Sequence, residues 1–164
     1  MEQENELMKS YIGQLEELFS GDPWIDETFE KKLKELSEEI AFRKPMESMH
    51  SVAEILSHLI VWRREILSRI KDKQSPHLTM ENEYNWKGNE ALRQNGFFQL
   101  LDEFNETQEQ LIDFLGKQND EFLLLRDDQK NVSFDYYIRG LVHHDAYHLG
   151  QIGMVLKILQ PIKQ

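Results

Sequence analysis

Along most of this chain apolar residues recur every three or four positions, the period of one face of a helix. Met8, Tyr11, Leu15 and Leu18 make such a stripe and predict a first helix from Glu4 to Phe19. The stretch "SGDPW" ends it, with Gly21 and Pro23 as breakers. From Ile25 to Pro45 the pattern breaks up and reads as one or two short helices over the end of a bundle. A second long helix opens at "SVAE". Ser51 is its N-cap, and Glu54, three residues on, completes a capping box. It runs to about Lys71, burying Val52, Ile55, Leu59, Trp62, Ile66 and Ile70. Arg63, Arg64, Arg69, Lys71 and Lys73 read as a solvated face whose cations complement the helix dipole.

The stretch "DKQSPHLTMENEYNWKGN" shows no sustained period and predicts a connection, long enough to have a function. A third helix follows from Asn89 to Lys117, with Phe97, Leu101, Phe104, Gln108, Leu111 and Leu115 at heptad spacing and Gly96 a weak point near its start. "NDEFLLLRDDQKN" is a second long connection, in which "FLLL" predicts a short strand or a packed turn. The fourth helix starts after Ser133, an N-cap, and extends to about Gln160, where Pro161 stops it. Four long amphipathic helices without convincing strands predict an all-α four-helix bundle. Residues 1–164 read as a single domain, and the long connections leave room for crossovers.

Composition narrows the function. The net charge of −11 predicts repulsion from a phosphate backbone, hence no nucleic acid as partner and no anionic membrane surface. Without cysteine the chain has no disulfide, no thiolate metal ligand and no cysteine nucleophile. No apolar run is long enough to span a bilayer, and "MEQENELMKS" lacks the apolar core of a signal peptide, so a cytoplasmic location is expected.

Histidine carries the candidate chemistry. In "GLVHHDAYHLGQI" three of the six histidines fall within six residues. Ile138, Leu141, His148, Ile152, Val155 and Leu159 share one stripe, and His144 lies one turn before His148 on the same side. Imidazoles four residues apart stack ~6 Å along the axis and can converge on one ion. On the second helix His58 stands beside the buried stripe, three residues after Ile55. Together His58, His144 and His148 offer three nitrogen ligands, leaving positions for water or substrate, the open pattern of a catalytic site. The competing reading is a set of core histidines bonded to Ser, Tyr or backbone carbonyls. His143 points about a hundred degrees from His144 and reads as surface. His50 and His77 fall outside the pattern. Asp145 is a rival ligand, or a group that orients an imidazole N–H or lines the pocket.

At these residues the sequence resembles the DinB-like (YfiT-like) superfamily. The resemblance rests on "SVAEILSHLIVWRRE", on "HHDAYHLGQIGMVLK" far downstream, and on "LEELFSGDPW" near the start. It implies a four-helix bundle in up-down-down-up order. It also implies a divalent metal, nickel or zinc, on His58, His144 and His148, and frequent homodimers. Relatives with assigned activity include S-transferases using bacillithiol, mycothiol or glutathione, and a thiol-dependent isomerase. The expectation is therefore a metal-dependent enzyme acting on a small molecule. Thiol transfer to an electrophile, or hydrolysis, would be its chemistry, with a low-molecular-weight thiol as cosubstrate. Trp62, Tyr84, Trp86, Asp145 and Tyr147 are candidates for the pocket. The alternative is a non-catalytic bundle that binds a metal or a hydrophobic compound in a stress response.

Overall fold

The computed structural model describes residues 5–72 and 81–160. His77 and Lys73 lie outside them. Eight helices are present among the described residues, in the order α1 (Glu6–Phe19), α2 (Phe29–Leu33), α3 (Glu38–Ala41), α4 (Val52–Lys71), α5 (Asn89–Leu92), α6 (Phe97–Leu115), α7 (Asp120–Leu124) and α8 (Phe134–Leu159). The four long ones, α1, α4, α6 and α8, form the bundle. Met8, Leu15, Phe29, Leu56, Phe104, Leu111, Ile138 and Ile152 are among its buried residues. None of the helices is long and apolar enough to cross a membrane.

Cross-helix contacts set the directions. Tyr11 near the start of α1 donates to Asp135 near the start of α8 at 2.7 Å, so these helices run parallel. Arg64 meets Glu103, and Lys71 lies over the Phe114 ring, so α4 and α6 also run parallel. Against α8, α4 is reversed: His58 faces His144 and His148, while Arg69 lies over Tyr137. Phe19 packs on Phe104, and Gln108 donates to the Leu15 carbonyl, so α1 and α6 are antiparallel. The order is up-down-down-up.

Local chemistry sets the helix ends. The Ser51–Glu54 capping box is formed on both sides, and the same carboxylate accepts from the Asn89 amide and pairs with Lys44. Ser133 caps α8 by accepting from Tyr136 N–H. "FLLL" is neither strand nor plain turn. Its first three residues close α7, which is capped by Asn119, Leu125 is the extended C-cap, and Arg126 just beyond bridges to Ser133. The third long helix is shorter than its periodicity predicts. It breaks into α5 and α6 at Gly96, whose φ of 81° and ψ of 165° lie in a region almost reserved for glycine.

The basic face of α4 also differs from expectation. Arg64 and Lys71 are exposed, but Arg63 and Arg69 are buried. Arg63 packs its guanidinium 4.3 Å from the Phe104 ring centre, and Arg69 pairs with Glu65 at 2.7 Å. A long cation on a largely apolar helix buries when a carboxylate and aromatic faces await it, and periodicity does not reveal those partners.

Gly96→Ala should destabilise the fold by about 1–3 kcal/mol, because a Cβ is strained at this backbone conformation. Urea denaturation of the two proteins checks this, with an unchanged midpoint counting against the strained turn.

Candidate metal centre

The site lies on the seam between α4 and α8. Its register is held by a buried ion pair, in which Arg63 Nε and Nη2 donate to Asp145 Oδ2 at 3.1 and 2.7 Å. Both side chains are 1% exposed, so the pair is isolated from water. Burial pushes the Asp145 carboxyl up, and the Arg63 guanidinium opposes that shift. Asp145 precedes His148 by three residues and follows His144 directly. The pair that fastens α8 to α4 therefore also sets the height of both imidazoles against His58.

The three rings meet. One ring nitrogen from each of His58, His144 and His148 lies within 4.8 Å of the other two. His58 Nε2 and His144 Nε2 are 3.0 Å apart. Ring centres are separated by 5.0, 4.7 and 4.4 Å. His58 and His148 are buried, and His144 is partly so. His143, one residue earlier, is exposed.

Hydrogen bonds orient the rings. His58 Nδ1 donates to the backbone carbonyl of Asn85 at 2.9 Å. A carbonyl only accepts, so the proton sits on Nδ1 and the lone pair on Nε2. His148 Nδ1 is 2.6 Å from Gln151 Oε1, which likewise leaves its Nε2 free to ligate. The Gln151 amide donates in turn to the Tyr147 hydroxyl at 3.0 Å. His144 Nδ1 is buried without a hydrogen-bond partner, as is Asp145 Oδ1, and these two atoms are 4.0 Å apart.

Desolvation keeps the cluster neutral. Burial is the main reason that His58 is lowered to about 4 and His144 to about 3. The mutual repulsion of the rings adds to it. His148 is lowered as well, chiefly by burial, against the pull of Gln151 and Asp145.

This donor set fits a cation. Two lone pairs already converge beside His144. If His144 also turns a lone pair inward, a cation among the three nitrogens relieves their repulsion, and its Nδ1–H then faces the unpartnered Asp145 oxygen. Two metal–nitrogen bonds of ~2.1 Å reach at most ~4.2 Å, so small rotations close the set. The alternative of ordinary satisfied core histidines accounts for the Nδ1 bonds of His58 and His148. It does not account for the orphaned His144 Nδ1.

The connection before α5 builds the wall. Trp86 stacks on His58 with ring centres 3.9 Å apart and planes 9° from parallel. His50 stacks on the same indole at 3.7 Å and 6°. Two rings so close to one centre can only occupy opposite faces, so the indole is sandwiched. Buried Asn85 holds both sides of the wall, since its side-chain oxygen accepts from the Trp62 indole N–H at 2.9 Å. Tyr147 is exposed but packs its ring 5.0 Å from His148, and Tyr84 is exposed. Asn85, His50 and Arg63 were not legible as site residues. Gln151, three residues after His148, carried a usable signal, because that spacing places it on the same helix face.

The fold has a solved counterpart. The colibactin self-resistance protein ClbS, determined in complex with double-stranded DNA, matches over 92% of each chain with a TM-score of 0.57 and 16% identity. No curated protein gives a significant match. The ClbS complex overturns the exclusion of nucleic acid drawn from net charge, since a protein of this fold does engage a duplex. The physical reason is that −11 is a sum over the whole chain, whereas phosphate contact depends on where individual cations lie. The profile of the DinB superfamily matches residues 25–152. By that match, which covers most of its length, this chain belongs to the DinB superfamily.

Proposed function

We propose that this protein is a cytoplasmic metal-dependent enzyme that transfers a low-molecular-weight thiol to a small electrophile. His58, His144 and His148 would hold one divalent ion, nickel or zinc. The observation that carries the reading is the convergence of three neutral imidazoles, two buried and one partly so, with their Nδ1 sides hydrogen-bonded elsewhere or left unpartnered. Such an ion supplies an undiminished positive charge that stabilises a thiolate over a thiol.

The chain's own residues do the rest. Asn85 and Trp86 fix the His58 ring, and Gln151 fixes His148. Arg63 holds Asp145, and with it the backbone beside His144. The thiol must come from outside, because the chain has no cysteine. Superfamily membership supports a thiol over water as the nucleophile. Hydrolysis and metal or ligand binding without turnover are the readings this proposal competes with. The ClbS complex supports one more, contact with duplex DNA, which fluorescence anisotropy with a labelled duplex across a salt series would test.

Four outcomes are expected. Untagged protein should retain one nickel or zinc ion per chain by elemental analysis. His148→Ala should weaken binding by more than about 100-fold and Gln151→Ala by about 10–100-fold, while His143→Ala should leave it unchanged. Full metal content in a protein lacking all three central histidines would refute the site.

Without metal, stability should depend on pH. His58 and His144 titrate in the folded state at about 4 and about 3, below the ordinary value of 6.5. The unfolded chain therefore binds more protons between these values. Stability is complete above pH 6.5 and falls toward pH 4, by about 1.4 kcal/mol per pH unit for each histidine that must charge. Urea titrations in chelator at pH 7, 6 and 5 read this slope. It should flatten in a His58→Gln, His144→Gln protein.

Thiol transfer should be lost on chelation and restored by nickel or zinc, and its pH–rate midpoint should lie below the pKa of the free thiol. A metal-loaded protein inert toward a broad panel of thiols and electrophiles would favour the binding-only reading. Activity surviving both chelation and His144→Ala would reject the mechanism.

A further inference from the structure

A groove of about 190 Å³ opens between α4 and α8, one turn along from the histidine cluster, with His144 in its lining. Its walls are aromatic. Trp62 stands 6.1 Å from the His144 ring, Tyr137 is buried opposite, and Tyr136 is exposed at the rim. The Arg69 guanidinium lies 5.9 Å from the Trp62 ring centre and 5.3 Å from that of Tyr137. Glu65 pairs with Arg69 at 2.7 Å, and Tyr137 donates its hydroxyl to Asp127. The one charged side chain named in the lining, Arg69, is thus paired within the protein and offers no uncompensated charge to a ligand, while His144 Nδ1 is a lining nitrogen without a hydrogen-bond partner.

Gly140 is the decisive residue. It sits in the interior of α8, where glycine is a poor helix former relative to alanine. A Cβ there would meet nothing within 4 Å, so no packing demand explains the missing side chain. Gly140 lines the groove one turn before His144, and a larger side chain there would enter open space beside it.

We propose that this groove is the electrophile subsite and that it takes a neutral, monocyclic aromatic compound. The size follows from volume, since an apolar cavity of ~150 Å³ holds benzene. The neutrality follows from the internally paired Arg69, and the aromatic character from the Trp62, Tyr136 and Tyr137 rings in the lining. The proposal rests on the thiol-transfer reading for its chemistry, but binding itself requires only the groove.

Nitrobenzene is a suitable probe, with 4-nitrobenzoate as its charged counterpart. Zinc-loaded, isotope-labelled protein is titrated with each by NMR. Nitrobenzene should saturably shift the Gly140 and Leu141 amides and the Trp62 indole N–H, and 4-nitrobenzoate should bind at least tenfold more weakly. Gly140→Leu, at an exposed helical position, should bind nitrobenzene at least tenfold more weakly with zinc stoichiometry and helical content unchanged. Shifts elsewhere on the protein, equal binding of the charged probe, or wild-type affinity in Gly140→Leu would each overturn the subsite. Absence of bound zinc with normal nitrobenzene shifts would sink the metal reading and leave the groove intact. Bound zinc without those shifts would do the reverse.

Discussion

The buried pair of Arg63 and Asp145 is the constraint on which the site depends. Its two partners stand on antiparallel helices and are removed from water together. Such a pair yields little net stability against an apolar equivalent, yet removing one partner strands a buried charge and costs about 3–5 kcal/mol. The pair therefore acts on register more than on stability. Sliding α8 by a turn along α4 would separate the charges, so that slide is penalised. His144 is adjacent to one partner and His58 is five residues from the other, so a fixed register for the pair is a fixed register for the imidazoles.

Within that register the rings are held by their Nδ1 sides. A backbone carbonyl accepts the Nδ1–H of His58, and a glutamine oxygen accepts that of His148. The indole of Trp86 closes against His58 and is itself covered by His50. Burial suppresses protonation, which is also the condition for nitrogen to ligate a cation. The same desolvation that makes the cluster a poor core element thus makes it a competent donor set.

The segment between α4 and α6 links the fold to this site. The Asn89 backbone N–H donates to the Glu54 carboxylate and its side-chain amide donates to the Phe42 carbonyl, anchoring the connection to the start of α4. From that anchor Asn85 and Trp86 reach back over His58. The break at Gly96 lets α6 begin in its own direction, parallel to α4, while α5 stays with the connection. Immediately after the break Phe97, the first residue of α6, is fully buried.

Much of this was determined by the sequence alone. Periodicity located the four long helices, Ser51 and Ser133 announced two of the caps, and motif resemblance indicated the superfamily. Spacing set His58, His144 and His148 on inward stripes, because four residues return a helix nearly to the same face. Only the tertiary structure decided what stands opposite those faces. Arg63 meets Asp145 across 82 residues and His58 meets the Asn85 carbonyl across 27. Arg63 consequently read as a solvated cation and Asn85 as an anonymous loop residue. The reason is physical: an α-helix imposes its period on the chain that forms it, whereas a contact between helices is set by packing and leaves no period in either sequence.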